Sequence, residues 1–107
     1  MDAPFLYIVR FWVSPAGLAT VMGWLENGHM AEVVRQPGFL WVRRVRLAAD
    51  ASDGWSAHMM IYGLESEAAL QAYFASPAPA KFALERKPFE HHLRMERDWG
   101  KVDYRIP

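Results

Sequence analysis

The chain has 107 residues, with twelve Lys plus Arg balanced by twelve Asp plus Glu, 52% hydrophobic residues and no cysteine. This length predicts one core and a single domain over residues 1–107, and the charge balance argues against general nucleic-acid binding or adhesion to an anionic membrane, both of which need a basic excess. The missing thiol excludes a disulfide frame, a cysteine nucleophile and any Cys-ligated metal or iron–sulfur site.

Met1-Asp2-Ala3-Pro4 lacks the basic start and apolar core of a signal peptide, and the following apolar run is interrupted by Arg10. No nucleic-acid partner, no membrane association and a cytoplasmic location are therefore expected. Phe5 to Val13, rich in aromatic and β-branched residues, reads as a first strand. Ser14-Pro15 follows as an N-cap with proline at the first helical position. Leu18, Val21, Met22, Leu25, His29 and Val33 then mark one stripe of an amphipathic helix running to about Arg35. Asn27-Gly28 predicts a kink or break inside it, because glycine costs about 1 kcal/mol relative to alanine in a helix.

Pro37-Gly38 ends the helix, and Phe39 to Leu47 makes the second strand. A connection ending in Asp53-Gly54 leads to a third strand, Trp55 to Tyr62. Ser66 caps a second helix carrying Leu70, Tyr73 and Phe74; Ser76-Pro77-Ala78-Pro79 interrupts it, and Lys81 to Arg86 adds a further helical turn or two. The last strand lies within His92 to Trp99. Strand, helix, strand, strand, helix, strand is the α+β split β-α-β order: a four-stranded antiparallel sheet with two helices on one face, the ferredoxin-like arrangement.

Alternation divides the strand residues between two faces. Phe5, Tyr7, Val9, Phe11, Phe39, Trp41, Val45, Leu47, Trp55, Met59, Ile61, Leu93, Met95 and Trp99 form the set expected beneath the helices. Leu6, Ile8, Trp12, Leu40, Val42, Met60 and Tyr62, mixed with Arg10, Arg44, Arg46, His58, Glu96 and Asp98, form the other. A water-facing sheet surface should be polar throughout, and a monomer rarely exposes an apolar patch beyond roughly 300–600 Å². A homodimer that covers this second face is the expectation. The alternative is a monomer whose arginine stems mask the apolar groups.

With the elements in this order, Trp24-Leu25-Glu26-Asn27-Gly28-His29 followed by Gln36-Pro37-Gly38-Phe39, together with Tyr62-Gly63-Leu64-Glu65-Ser66, carries a likeness. On these residues the chain resembles the dimeric α+β barrel superfamily, near its EthD-like group and its small uncharacterised bacterial families. In such families the first helix ends on an aromatic, a histidine follows, and Pro-Gly precedes strand two. The resemblance implies a pocket between helices and sheet in each subunit. Its members include cofactor-independent monooxygenases, polyketide cyclases, lactone isomerases and haem-handling proteins. Some cyclase-like members carry a catalytic His in a His-Pro-x-His stretch after the second helix; here Ser76-Pro77-Ala78-Pro79 holds no histidine, so that mechanism does not transfer directly.

His29 is the catalytic candidate: on the inner stripe of the first helix, an imidazole could accept or donate a proton near neutral pH, as enolisation next to a carbonyl requires. The alternative is a core histidine bonded to a backbone carbonyl near the kink. Tyr7 could offer its hydroxyl to a ligand, with Phe11, Trp41, Met59, Tyr73 and Phe82 as pocket walls and Trp24 flanking His29; each could equally be plain core packing. Arg43, of one parity with Trp41, could bind an anionic group, although the basic run Arg43 to Arg46 also suits a solvated or interface face. His58 belongs to the second face. The adjacent pair His91-His92 points to opposite sides of a strand and makes a poor metal site. There is no phosphate-binding glycine loop and no nucleophile elbow.

The expected protein is therefore a small cofactor-independent enzyme of cyclase, isomerase or monooxygenase type, with no metal. It acts on an apolar aromatic or polyketide-like small molecule, with His29 as proton acceptor or donor. The alternative is a non-catalytic ligand-binding or assembly protein of the same fold; a ligand pocket should reach roughly 300 Å³. A haem-handling role, with His29 as axial ligand, is a third option.

Overall fold

The computed structural model describes residues 2–107. Its sheet is built on β1 (Phe5–Val13), whose odd-numbered side chains are all buried while the even-numbered ones are half-buried or exposed. β3 (Ser56–Leu64) and β4 (Leu93–Lys101) flank β1, both antiparallel, and β2 (Phe39–Arg46) pairs outside β3. The order is β2-β3-β1-β4, the ferredoxin-like order expected. All helices lie against the face that carries Phe5, Tyr7, Val9, Phe11 and Val13.

The first helical layer begins as its sequence dictates. The Ser14 hydroxyl accepts the Gly17 amide at 3.1 Å, and Pro15 opens a 3₁₀ turn ahead of α1 (Leu18–Trp24). The break expected at Asn27-Gly28 is a kink within Leu25–His29: Asn27 (φ −95°, ψ 17°) and Gly28 (φ 157°, ψ −40°) leave helical geometry, after which α2 (Met30–Val34) resumes. The kink has a consequence for the site. Val21, Leu25, His29 and Val33 are all buried at a strict spacing of four. An α-helix advances about 100° per residue, so four residues overshoot a full turn by about 40° and such a stripe drifts around the helix. The kink at Asn27-Gly28 interrupts that drift, and His29 stays buried on the inner side.

The second layer comprises α3 (Glu67–Ala75), capped by Ser66 Oγ accepting the Ala69 amide at 3.2 Å, and α4 (Ala78–Arg86), which starts within the proline-containing stretch. A 3₁₀ segment, Lys87–His92, leads into β4. No helix among the described residues is long and apolar enough to cross a membrane.

The sheet register corrects the face assignment in two strands. Tyr7 lies opposite Tyr62, Val9 opposite Met60 and Phe11 opposite His58, so Met60, Tyr62 and His58 face the helices, while Met59 and Ile61 face away. In β2 a register shift between Phe39 and Trp41 reverses parity. Phe39 remains in the core, and Val42 packs against it. Arg44 also turns to the helix side, pairing with Glu26 at 2.6 Å, and Arg46 lies opposite His58. Trp41, Arg43 and Val45 move to the open face. Trp41 lies over Gly63, where a Cβ would run into the indole and into the Ala3 methyl.

Candidate functional site

Between the helices and the sheet lies a partly open cavity of about 200 Å³. β1 and β3 supply its floor (Tyr7, Val9, Phe11, Met60 and Tyr62), and the first helical layer supplies Val21, Trp24, Leu25, His29 and Val33. Tyr73, Phe74, Pro79, Phe82 and Arg86 enter from α3 and α4, and Leu93, Met95 and Arg97 from β4. Of the residues singled out from sequence, Tyr7, Phe11, Trp24, His29, Tyr73 and Phe82 come together here. Trp41, Arg43 and Met59 do not: the β2 register shift and the β3 parity place them on the opposite face, where the Arg43 guanidinium sits 5.2 Å from the Trp41 ring.

His29 is 8% exposed, and its Nδ1 is buried with no hydrogen-bond partner. The backbone-carbonyl bond considered for it is absent at that atom. Its ring stacks on Trp24, with centroids 3.9 Å apart and planes at 18°, and meets Phe82 edge-on at 4.5 Å. Burial first, and then the charges of Arg86, Arg97 and Lys81, hold its pKa down to about 4; Glu32 opposes this. The imidazole is thus neutral at physiological pH, a proton acceptor rather than a donor of an acidic proton.

Trp24 is itself anchored. Its Nε1–H donates to Glu85 Oε1 at 3.0 Å. Lys81 lies 3.6 Å from the Glu85 carboxylate and also pairs with Glu32, tying α4 to α2. Opposite, Tyr7 stacks near Tyr62 at 5.8 Å and meets Phe74 edge-on at 5.6 Å. Burial raises the pKa values of Tyr7, Tyr62 and Tyr73, the last to about 12, so these phenols act as hydrogen-bond donors, not as bases.

Two basic residues at this site went unnoticed in the sequence: Arg86 and Arg97. The half-buried Arg86 places its guanidinium 5.9 Å from the Trp24 ring; Arg97 donates to the Met95 sulfur at 3.8 Å. The spacing held both signals. Arg86 follows Phe82 by one helical turn, and Arg97 fills the gap between Met95 and Trp99 on the inner side of β4. Among the described residues, no three His, Asp or Glu converge as metal ligands.

A four-stranded antiparallel sheet in this order, with helices on one face, is the ferredoxin-like α+β fold. The chain belongs to the family described as Domain of unknown function (DUF4286), which matches residues 4–97. No curated protein matches it. Among solved structures, a dimeric ferredoxin-like protein from an uncultured marine organism is similar, with TM-score 0.71 and 12% identity over 95% of this chain and 97% of that one. The haem degrader MhuD of Mycobacterium tuberculosis, solved with two haems in its active site, has TM-score 0.67 and 22% identity, covering 97% and 100%. SnoaB, a cofactor-independent oxygenase from Streptomyces nogalater, has TM-score 0.64 and 18% identity over 98% and 99%. At these identities the likeness is one of fold.

Proposed function

We propose that this protein is a small-molecule enzyme that holds a flat apolar molecule, aromatic or polyketide-like, in the cavity and uses neutral His29 as its proton acceptor, with no resident cofactor. The observation that carries the reading is a buried imidazole with an unpartnered Nδ1 in an aromatic cavity. Buried polar atoms in native proteins are nearly always paired, and exceptions call for a reason such as a catalytic role. In the step proposed, His29 takes a proton from a carbon next to a carbonyl. The C–H electron pair moves onto the carbonyl oxygen as an enolate, and the proton stays on the ring. Cyclase, isomerase and cofactor-independent oxygenase chemistry share this opening step, and the similarity to SnoaB supports the reading.

The test is deuterium exchange at the acidic carbon of phenylacetone, 2-tetralone and anthrone, ketones of one, two and three rings, in anaerobic D₂O. The protein should accelerate exchange for at least one of them. His29→Gln, shown to be folded by circular dichroism, should slow that exchange about 100-fold or more. Equal rates for the variant and the parent would remove His29 from the mechanism.

One observation favours the second reading, a ligand binder without turnover: the cavity, about 200 Å³, falls below the range of about 300 Å³ and upward typical of ligand sites. In that case the ketones bind and no exchange is catalysed. The haem option fits the residues poorly. About 200 Å³ is close to the size of a cavity known to hold one benzene, about 150 Å³, and His29 is covered by Trp24 on one ring face and by Phe82 at an edge.

A further inference from the structure

We infer that the ligand of this cavity is a single-ring aromatic carboxylate, its ring among the apolar walls and its carboxylate held by Arg86 and Arg97, the two guanidiniums of the lining. The inference rests on the reading of the cavity as the ligand site and narrows it. Two observations lead to it. The first is charge. The ionisable groups lining the cavity are one histidine, three tyrosines and two arginines, with no carboxylate. Neither arginine makes an ion pair among the described residues, so no carboxylate of the chain neutralises the cavity's cations. The groups that favour the ionised form of Arg86 are Tyr73 and Tyr7 in the cavity and, behind them, Glu90, a carboxylate outside the lining and 3.9 Å from the Lys87 ammonium.

Arg86 is half-buried, and Arg97 lines the same cavity. Burial and the Arg97 charge both work against the ionised form of Arg86. A half-buried guanidinium with a second cation acting on it is costly to keep unless an anion joins it, and a planar carboxylate matches the guanidinium fork. The anion belongs to the ligand from the start, because the repulsion exists before any reaction begins. The phenols of Tyr7 and Tyr73, both kept protonated, line the same cavity and can donate to the ligand.

The second observation is size. A cavity of about 150 Å³ accepts benzene, so about 200 Å³ holds one ring and a small substituent. Larger polyketide skeletons would have to displace the walls.

The experiment is calorimetric titration of the full chain with salicylate, methyl salicylate and salicylamide, while the His29 ring signals are followed by NMR. Salicylate should bind about tenfold or more tightly than its ester, shift the His29 signals, and weaken as salt is raised. The preference for the acid should shrink in Arg86→Gln and in Arg97→Gln and vanish in the double variant, with Arg86→Lys retaining part of it. Thermal melting checks that each variant is folded. An ester that shifts His29 and binds as tightly as the acid overturns the inference and leaves the cavity reading standing. A preference that survives in the double variant also overturns it. If none of the three binds at millimolar concentration, the inference fails, and the cavity reading is then judged by ketone exchange alone.

Discussion

The imidazole of His29 has exchanged water for two aromatic rings, and nothing at Nδ1 offsets the loss. That exchange sets a pH dependence of stability. In the unfolded chain His29 takes a proton near 6.5; in the folded chain it does so only near 4. Between those values the unfolded state binds more protons, so stability rises with pH across this window. The contribution is fully present above about 6.5 and is lost as pH falls towards 4; the whole loss is on the order of 3 kcal/mol. The pKa of His58 is also lowered by burial, so the difference between two proteins is what matters. Urea unfolding at pH 7.5 and pH 4 should show the parent losing about 3 kcal/mol more than His29→Leu. At pH 7.5 the leucine variant should equal or exceed the parent in stability, since it removes an unpartnered buried nitrogen. The same acid sensitivity in both proteins would mean that His29 is protonated in the folded state.

The helical elements depend on a few backbone positions, and two glycines of the first layer should respond to alanine with opposite signs. Gly28, at φ 157°, occupies a conformation that L residues avoid, so Gly28→Ala should cost about 1–3 kcal/mol. It should also disturb the Trp24–His29 stack, visible in tryptophan fluorescence. Gly23 sits within α1, where an added Cβ meets the Asn27 side chain at an ordinary 3.7 Å; Gly23→Ala should stabilise by about 0.4–1 kcal/mol. Denaturant midpoints decide both. These positions also show what a sequence can reveal. The Ser14 cap, the Asn27-Gly28 interruption and the alternation of β1 rest on local chemistry, and each appears where local chemistry puts it. The faces of β3 do not. Ala57 to Tyr62 is apolar on both sides apart from His58, so a one-residue slip costs little in pattern and exchanges every side chain. The β2 register shift depends on room above Gly63, a tertiary fact that leaves only a glycine in the sequence as its trace. Trp41, Arg43 and Met59 were therefore misplaced together. Arg86 and Arg97 were within reach of spacing arguments applied to charges as well as to apolar residues.

On the scale of the whole molecule, helices cover only one side of the sheet. The other side carries Leu6, Ile8, Trp12, Trp41, Met59 and Ile61, all half-buried, and Val45 at 38% exposure. Correcting the strand faces left this conclusion intact: Met60, Tyr62 and Val42 exchanged sides with Met59, Ile61 and Trp41, one apolar group for another. Charges of both signs border the patch, with Arg10 opposite Glu96 and Asp98 opposite Ile8. A self-complementary surface of this composition suits a two-fold partner, which would meet each cation with an anion. The similar marine protein is a dimeric ferredoxin-like protein, and we expect this chain to form a homodimer through the open face. Met59→Glu combined with Ile61→Glu would set four new charges against one another across a two-fold interface, where like charges close together cost several kcal/mol. Sedimentation at micromolar concentration should then report a monomer with unchanged helix content, while the parent sediments as a dimer. Leu84→Ser is the matched control, because Leu84 is 74% exposed on the helical layer and lies outside the open face. It should leave the parent's mass untouched. Loss of the dimer in Leu84→Ser but not in the glutamate pair would move the interface to the helices. The apolar sheet face would then be left open to solvent, an arrangement that small monomeric domains rarely sustain.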